Sequence, residues 1–244
     1  MRIILSNDDG IQSNGLVELA KCLSKKHELL IIAPEDNRSA SSHSMTVGKP
    51  IKINKVNLFD NIVSYSISGT PVDCVKIAKL MFKDFKSDFV VAGINKGHNL
   101  GSDTLYSGTL SIACEASFFG DVAFAFSCFG LGESDFINYS LLAEEIIEKL
   151  YPVSNKGDIF NVNFPNCNRK EINGIKMTSL GKQLYTDRYE KVSDDTYKLV
   201  GELISHNENS LDCDVEWIKK GFVTVTPILY NKTDYNRLKK QNVF

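Results

Sequence analysis

The sequence predicts an α/β fold in which helices cover both faces of a mostly parallel sheet. Short apolar runs at residues 2–6, 29–33 and 89–94 have the length and composition of buried strands. Residues 15–26 lie between the first two runs and repeat apolar side chains at helical spacing. This alternation of strand, helix and strand is typical of parallel βαβ units, whose sheets are buried on both faces.

The same patterns place the remaining elements. Asn14 has the side chain and the position to cap the first helix. Residues 35–48 and 95–104 predict long loops. Residues 174–204 alternate polar and apolar side chains, which predicts a β-hairpin arm in a C-terminal extension. Further strands are expected at 51–57, 62–67, 122–126, 159–164 and 223–226, and further helices at 71–83, 107–119, 139–150 and 212–220.

Composition argues against several classes of partner. The chain has 244 residues, with 28 Lys and Arg against 30 Asp and Glu, so no basic surface for nucleic acid is expected. No apolar run approaches the ~20 residues of a membrane span, and the N-terminus lacks the features of a signal peptide. The six cysteines are scattered without a C-x-x-C pair, which predicts reduced core residues and not a zinc site. We therefore expect a soluble, cytoplasmic protein.

The strongest local motif follows the first predicted strand, where Asn7, Asp8, Asp9 and Gly10 occur in succession. Ligand sites of open α/β sheets form beyond the carboxyl ends of the strands. Gly10 lets the chain turn there, so that both carboxylates can face one centre. A hard divalent cation would remove their mutual repulsion. The alternative is that the two aspartates only stabilise the turn before the next helix.

Two further loops supply neutral oxygen ligands. Ser39 follows the second strand, and Asn95 follows the strand at 89–94. Together with the acidic pair they form an oxygen set of mixed charge, which suits Mg²⁺ or Mn²⁺ better than Zn²⁺. Taken singly, each is equally an ordinary polar loop residue.

A helix start at residues 107–109 is a candidate phosphate site. Ser107, Gly108 and Thr109 begin a predicted helix, where free backbone N–H groups and the helix dipole attract anions. The hydroxyl groups of Ser107 and Thr109 are further donors to a phosphoryl oxygen. Simple N-capping by Ser107 is the alternative. Asn7 and Gly10, which flank the acidic pair, complete the set of candidate phosphate-binding residues.

Taken in order along the chain, these motifs resemble the SurE (survival protein E) family of metal-dependent 5′/3′-nucleotidases. The resemblance spans almost the whole chain, and several long motifs in matching order make it specific. The motifs that carry it are Asn7-Asp8-Asp9-Gly10, the loop from Ala33-Pro34 to Ser39, residues 69–75, residues 93–101, Tyr106-Ser107-Gly108-Thr109, residues 161–165 and residues 221–227.

The resemblance implies a fold, a metal site and a reaction. The fold is Rossmann-like, a three-layer sandwich. The family's metal ligands fall on Asp8, Asp9, Ser39 and Asn95, which would hold one Mg²⁺ or Mn²⁺ ion. The activity is release of phosphate from nucleoside monophosphates, with short polyphosphate as a further substrate. One departure lies beside a ligand, because the family often has Gly after the loop serine and this chain has Ala40.

The resemblance also implies an assembly. The family's C-terminal extension joins subunits, so we expect a homodimer or homotetramer with contacts after about residue 170. The character of the sequence changes after the helix at 139–150, and the best single boundary lies near residue 130, which gives a Rossmann-like core at 1–130 that carries the metal site. Residues 131–244 would complete the core and carry the oligomerisation extension, and a single domain is the alternative.

The expected reaction leaves the proton-transfer groups open. Asp8, Asp9 and Asn95 are the candidate catalytic residues, and either aspartate could also serve as general base or nucleophile. His43 and His98 are the loop histidines near the motifs. Each of them either protonates the leaving group or is simply solvated.

Three other functions compete with this interpretation. A signalling receiver domain also has an acidic pair after its first strand, but it needs an Asp where this chain has Asn95. A haloacid-dehalogenase-like phosphatase needs D-x-D-G-T, and here Asn7 occupies the position of the nucleophile. A non-catalytic nucleotide-binding module would use a similar fold without releasing phosphate.

Overall fold

A nine-stranded sheet forms the centre of the molecule. The computed structural model describes residues 1–129, 133–204 and 210–239. The strands are β1 (Arg2–Ser6), β2 (Glu28–Pro34), β3 (Ile53–Val56), β4 (Val63–Ile67), β5 (Phe89–Lys96), β6 (Val122–Cys128), β7 (Ile159–Phe164), β8 (Ile175–Met177), β9 (Leu184–Tyr185), β10 (Arg188–Ser193), β11 (Thr196–Val200), β12 (Leu203–Ile204) and β13 (Val223–Ile228).

The strand order in this sheet is β3-β4-β2-β1-β5-β6-β7-β13-β8. Neighbours from β4 to β7 are all parallel, whereas β3 pairs antiparallel with β4 and β13 pairs antiparallel with β7. The mostly parallel sheet predicted from the sequence is therefore confirmed. Strands that follow residue 130 in the chain join the same sheet, because β7, β13 and β8 continue it beyond β6.

Helices cover the sheet on both faces. They are α1 (Asn14–Leu23), α2 (Pro71–Met81), α3 (Gly108–Phe118), α4 (Glu133–Leu150), α5 (Asp214–Lys219) and α6 (Tyr235–Lys239). α1 and α4 pack together on one face, and α2 and α3 pack together on the other. Within β1, Ile3 and Leu5 contribute to the first core and Ile4 to the second, as the two-residue period of a strand requires. The molecule is thus a three-layer α/β sandwich.

Two helix starts differ from the sequence prediction. The N-cap residue of α1 is Ser13, and Asn14 is already helical. Ser13 is fixed there because its Oγ accepts a hydrogen bond of 2.6 Å from Asn7 Nδ2. α4 begins at Glu133, earlier than the expected start at residue 139.

The segment at 95–104 is more ordered than a long loop. β5 continues through Lys96, because its pairing with β6 resumes after an irregularity that ends at Asn95. Gly101–Leu105 forms a 3₁₀ helix that leads into α3.

The predicted hairpin arm is confirmed within 174–204, although its first strand belongs elsewhere. β8 lies at the edge of the main sheet beside β13. β9 pairs with β12 and β10 pairs with β11, both antiparallel, and these two pairs form the arm. Nearly all side chains of β10 and β11 are exposed.

Two further observations concern composition. The six cysteines are free thiols, as expected, and Cys74, Cys128 and Cys213 are buried. Within the described parts of the chain, no helix combines the length and the apolar character needed to cross a membrane.

Candidate active site

The acidic pair lies where the ends of β1, β2 and β5 meet. These strands are parallel neighbours, so their carboxyl ends share one edge of the sheet. After β2, the Arg38 N–H donates to the Asp8 carbonyl at 2.7 Å. At the end of β5, the Lys96 N–H donates to Asp9 Oδ2 at 3.0 Å. Two hydrogen bonds therefore join three distant segments at the acidic pair.

Asn7 and Gly10 shape the turn that follows β1. Gly10 has a φ of +106°, in the region that favours glycine. Asn7 is fully buried, and its Nδ2 donates to the Gly10 carbonyl at 3.0 Å and to Ser13 Oγ at 2.6 Å. Both amide hydrogens are thus used inside the turn. In the structure Asn7 stabilises this turn. A contact with phosphate would require its amide nitrogen to face outward, and it does not.

The first turn of α3 packs directly against Asp8. Thr109 is fully buried, and its hydroxyl donates to Asp8 Oδ1 at 2.5 Å. A Cβ on Gly108 would lie 2.7 Å from Asp8 Oδ2, so only glycine permits this approach. Ser107 caps the helix, because its Oγ accepts the Leu110 N–H at 3.0 Å. The hydroxyl hydrogen of Thr109 therefore goes to the carboxylate and not to a phosphoryl oxygen, which corrects the role expected from the sequence.

Asn37 links the acidic pair to Ser39. Its Nδ2 lies 3.4 Å from Asp9 Oδ1, and its Oδ1 accepts the Ser39 N–H at 2.8 Å. Ser39 itself lies on an exposed turn. The next residue, Ala40, has a φ of +57°, a conformation that L side chains rarely adopt. Asn37 therefore lies between Ser39 and Asp9 and contacts both, and the turn places Ser39 at the rim of the site.

Asn95 lies at the end of β5 and is only 9% exposed. Its Nδ2 donates to the Gly97 carbonyl at 2.8 Å. Because this bond orients the amide nitrogen, Oδ1 is the atom left to bind another group. The structure thus brings Asp8, Asp9 and Asn95 to one edge of the sheet, with Ser39 at the rim.

The two carboxylates are in a partly desolvated environment. Burial raises the pKa of Asp8 to about 6, with the charge of Asp9 acting in the same direction and the Thr109 hydrogen bond opposing it. Burial also raises the pKa of Asp9, and the Lys96 N–H opposes that rise. A positive charge next to this pair would favour the ionised form of both carboxylates.

The donor set fits a hard divalent cation. Two carboxylates, an amide oxygen and a hydroxyl form the mixed-charge oxygen set that such ions prefer. Asn7 Oδ1 is a further buried oxygen, and the described residues give it no hydrogen-bond partner. Across residues 1–129, 133–204 and 210–239 no group of three or more His, Cys, Asp or Glu side chains is placed to bind a metal ion. Oxygen ligands of this kind are those that hard cations prefer, in contrast to the nitrogen and sulfur ligands of zinc sites.

A buried asparagine cluster fixes the loop after Asn95. Asn161 Nδ2 and Asn163 Nδ2 donate to the Asn99 carbonyl at 2.8 and 3.1 Å, and Asn163 Oδ1 accepts the Asn99 N–H at 2.8 Å. Asn161 and Asn163 are two residues apart on β7, so they share one side of the strand. This spacing of two amides within an apolar strand is the sequence signal for the cluster, which hydrophobic periodicity does not reveal.

Asp214 connects the same loop to the base of the arm. It is fully buried, and its carboxylate accepts the Gly101 N–H at 2.9 Å and the Gly181 N–H at 2.8 Å. A Cβ on Gly101 would lie 2.6 Å from the Gly181 carbonyl, so the two backbones are in close contact. No local pattern in the sequence indicates this connection.

Each loop histidine has a partner away from the acidic pair. His43 Nε2 lies 2.9 Å from Glu115 Oε2, and His98 Nε2 lies 2.7 Å from the Phe164 carbonyl. Burial lowers the pKa of His98, which favours the neutral ring that donates to this carbonyl. His98 is therefore a half-buried structural residue, in contrast to the solvated loop histidine that the sequence suggests.

Comparison with known proteins identifies the family of this chain. The family model described as "Survival protein SurE" matches residues 3–187. A protein named 5′-nucleotidase SurE from Thermoanaerobacter sp. (strain X514) is 39% identical over 243 residues, which cover 98% of this chain and 96% of that protein. A protein of the same name from Clostridium tetani (strain Massachusetts / E88) is 40% identical over 241 residues, 96% of each.

Comparison with solved structures leads to the same family. The crystal structure of the SurE protein from Aquifex aeolicus matches with a TM-score of 0.83 at 33% identity, over 98% of this chain and 97% of that chain. Since sequence and fold match over nearly the full length, the chain belongs to the SurE family.

Proposed function

We propose that this chain is a metal-dependent 5′-nucleotidase, a phosphatase that releases phosphate from nucleoside monophosphates. The observation that carries the proposal is the meeting of Asp8 and Asp9 with the first turn of α3 at one edge of the sheet. A phosphomonoester is an anion, and this edge offers it a cation site beside a helix N-terminus. The related proteins named 5′-nucleotidase SurE support the same reaction.

Four residues would hold the metal. Asp8, Asp9, Ser39 and Asn95 would bind one Mg²⁺ or Mn²⁺ ion, which when bound supplies positive charge to a phosphoryl oxygen. Thr109 fixes the orientation of the Asp8 carboxylate, as the Lys96 N–H does for Asp9. Asn95 presents its amide oxygen because its nitrogen is engaged by the Gly97 carbonyl.

The start of α3 would receive the phosphoryl oxygens. Ser107 Oγ accepts the Leu110 N–H, so its own hydrogen remains free to donate to the substrate. The Gly108 N–H belongs to the first turn, which has no intrahelical acceptors, and the helix dipole adds positive potential there. Hydrolysis also needs an attacking water, and Asp8 or Asp9 would accept its proton as general base.

The remaining features follow from the same assignment. Short polyphosphate is a second substrate class, because a terminal phosphate needs only the metal and the helix start. Six free thiols suit a reducing compartment, and we place the protein in the cytoplasm. We also propose that the core at 1–130 carries the metal site, and that residues 131–244 complete it and form a homodimer or homotetramer through the arm.

Phosphate release from adenosine 5′-monophosphate (AMP) with added Mg²⁺ or Mn²⁺ tests the reaction. Wild-type protein should release phosphate, excess chelator should stop it, and either ion should restore it. Asp9→Asn should lower kcat/KM by about 100-fold or more, because a neutral amide binds the cation weakly. Asp36→Asn, which removes an exposed charge nearby, is the matched control. Full activity in excess chelator, or a fully active Asp9→Asn variant, would contradict the proposal.

A further inference from the structure

A large cavity opens beside the loop that follows Asn95. Its volume is about 770 Å³, in the range that holds a small-molecule ligand. Its wall includes Gly97, whose carbonyl accepts the 2.8 Å hydrogen bond from Asn95 Nδ2. A single hydrogen bond therefore connects the cavity wall to Asn95 of the candidate metal site.

Asp103 supplies a charged acceptor to the cavity wall. The Tyr185 hydroxyl and Gln183 Nε2 both donate to its Oδ2, at 2.5 and 3.0 Å. All three side chains line the cavity. Its other oxygen, Oδ1, takes no hydrogen bond from any described residue. A carboxylate held on one side by two donors presents its second oxygen to the hydroxyl groups of a ligand.

An aromatic wall completes the cavity. Phe129 lines the cavity and is 54% exposed, so part of its surface is open to a ligand. The His98 ring packs beside it, with 5.6 Å between ring centroids and an angle of 36°. Flat aromatic surfaces of this kind bind heterocyclic bases by stacking.

We propose that this cavity is the nucleoside subsite, in which Asp103 binds the ribose hydroxyls of a nucleoside monophosphate. The inference rests on the proposed nucleotidase function, because it assigns the leaving nucleoside to this cavity. Carboxylates bind ribose hydroxyls at other nucleotide sites of α/β sheets. The position is suitable, since the Tyr106 N–H donates to the Asp103 carbonyl at 3.0 Å and Ser107 of the candidate phosphate site follows directly.

The other large cavity beside the same 3₁₀ helix is less suitable for a nucleoside. It measures about 530 Å³, and its carboxylate belongs to Glu115. Each Glu115 oxygen already has a nitrogen partner, with His43 Nε2 at 2.9 Å from Oε2 and Lys76 Nζ at 2.8 Å from Oε1. Both oxygens of Glu115 are thus engaged by side chains of its own surroundings, whereas Asp103 keeps one oxygen without a described donor.

Substrate comparison with Asp103→Asn tests the inference. AMP, its 2′-deoxy analogue and phenyl phosphate share the phosphomonoester, but only AMP carries both ribose hydroxyls. We expect wild-type protein to prefer AMP, and Asp103→Asn to lower the AMP-to-phenyl phosphate ratio of kcat/KM by about tenfold. In Asp103→Asn, the preference for AMP over the 2′-deoxy analogue should disappear. Asp60→Asn, an exposed carboxylate on another part of the surface, should change neither ratio.

Inhibition by adenosine separates binding from chemistry. The adenosine inhibition constant should rise about tenfold in Asp103→Asn, whereas that of inorganic phosphate should rise less. Tyr185→Phe removes one donor to the carboxylate. It should lower the kcat/KM ratios of AMP to phenyl phosphate and of AMP to the 2′-deoxy analogue, each by a smaller factor than Asp103→Asn. An equal loss on all substrates, or unchanged ratios in a folded variant, would overturn the inference. Wild-type protein that binds adenosine but hydrolyses no phosphomonoester would instead overturn the proposed function.

Discussion

The Thr109 hydroxyl donates a 2.5 Å hydrogen bond to Asp8 Oδ1, across 101 residues of sequence. Both side chains are buried, so the bond replaces contacts with water. A hydroxyl group has a single hydrogen, and Thr109 therefore serves the carboxylate and not the substrate. This bond joins the start of α3 to the end of β1 and couples the candidate phosphate site to the candidate metal site.

Thr109→Val should weaken the metal site without unfolding the protein. Valine keeps the shape but leaves Asp8 Oδ1 buried without its donor, at a cost of about 1–3 kcal/mol. We expect Mn²⁺ affinity and kcat/KM to fall about tenfold or more, measured by calorimetry and phosphate release. Thr109→Ser keeps the hydroxyl and should lose much less. Wild-type Mn²⁺ affinity in a folded Thr109→Val protein would contradict the positioning role.

Gly108→Ala should separate activity from stability. Alanine is favoured over glycine by about 1 kcal/mol in a helix interior and by less at Gly108, the first residue of α3, so the helix itself tolerates the change. The alanine Cβ, however, would lie 2.7 Å from Asp8 Oδ2 and 2.8 Å from Asp8 Cβ, so the carboxylate must move. We expect kcat to fall by about tenfold or more while the melting temperature changes little, by phosphate release and thermal unfolding. Cys114→Ala on the same helix should keep its activity, and an active Gly108→Ala protein would show that Asp8 tolerates displacement.

Local sequence patterns are sufficient for the buried parallel strands and for the acidic pair. Buried parallel strands are short apolar runs, and the turn at Gly10 marks the carboxyl end of β1 directly. Asp8, Asp9 and Asn95 could be placed together because the ends of parallel neighbours share an edge. That argument needs only the order of strands and helices, which the sequence provides.

The contacts that hold the site could not be predicted in the same way. Asp214 binds Gly101 across 113 residues, and Asn163 binds Asn99 across 64. Such pairs depend on how distant segments pack, and no periodicity of one segment encodes them. The role of Thr109 could not be predicted for the same reason. Its hydrogen-bond partner is Asp8, which follows β1 and does not belong to its own helix.

Ala40→Gly should stabilise the loop that carries Ser39. Ala40 has a φ of +57°, where an L side chain costs about 1–2 kcal/mol and glycine costs little. Glycine also adds entropy to the unfolded chain, which offsets about 0.4–1 kcal/mol of the gain. We expect the free energy of unfolding to rise by about 0.5 kcal/mol, measured with urea. Ala20→Gly, within α1, should lower it, and equal losses from both variants would contradict a strained Ala40.

The arm presents an apolar surface that the described residues of its own chain do not cover. Tyr189 pairs with Leu199 and Lys191 with Tyr197 across β10 and β11, so these four side chains share one face. Tyr189, Tyr197 and Leu199 are 72%, 57% and 53% exposed. An isolated two-stranded hairpin is only marginally stable in water, which favours packing against another surface. Tyrosine is also enriched at protein interfaces, because it buries apolar area and keeps a polar tip.

We therefore expect the arm to join subunits in a homodimer or homotetramer. Replacing residues 188–200 by a two-residue Asn-Gly turn keeps β8 and the β9–β12 pair, so the main sheet stays complete. Light scattering at micromolar concentration should show a multiple of the chain mass for the full protein and a smaller particle for the shortened one. Tyr189→Lys should weaken the assembly, whereas Glu190→Gln on the opposite face of β10 should not. A monomeric full-length protein, or a shortened variant with unchanged particle mass, would refute an assembly built on the arm.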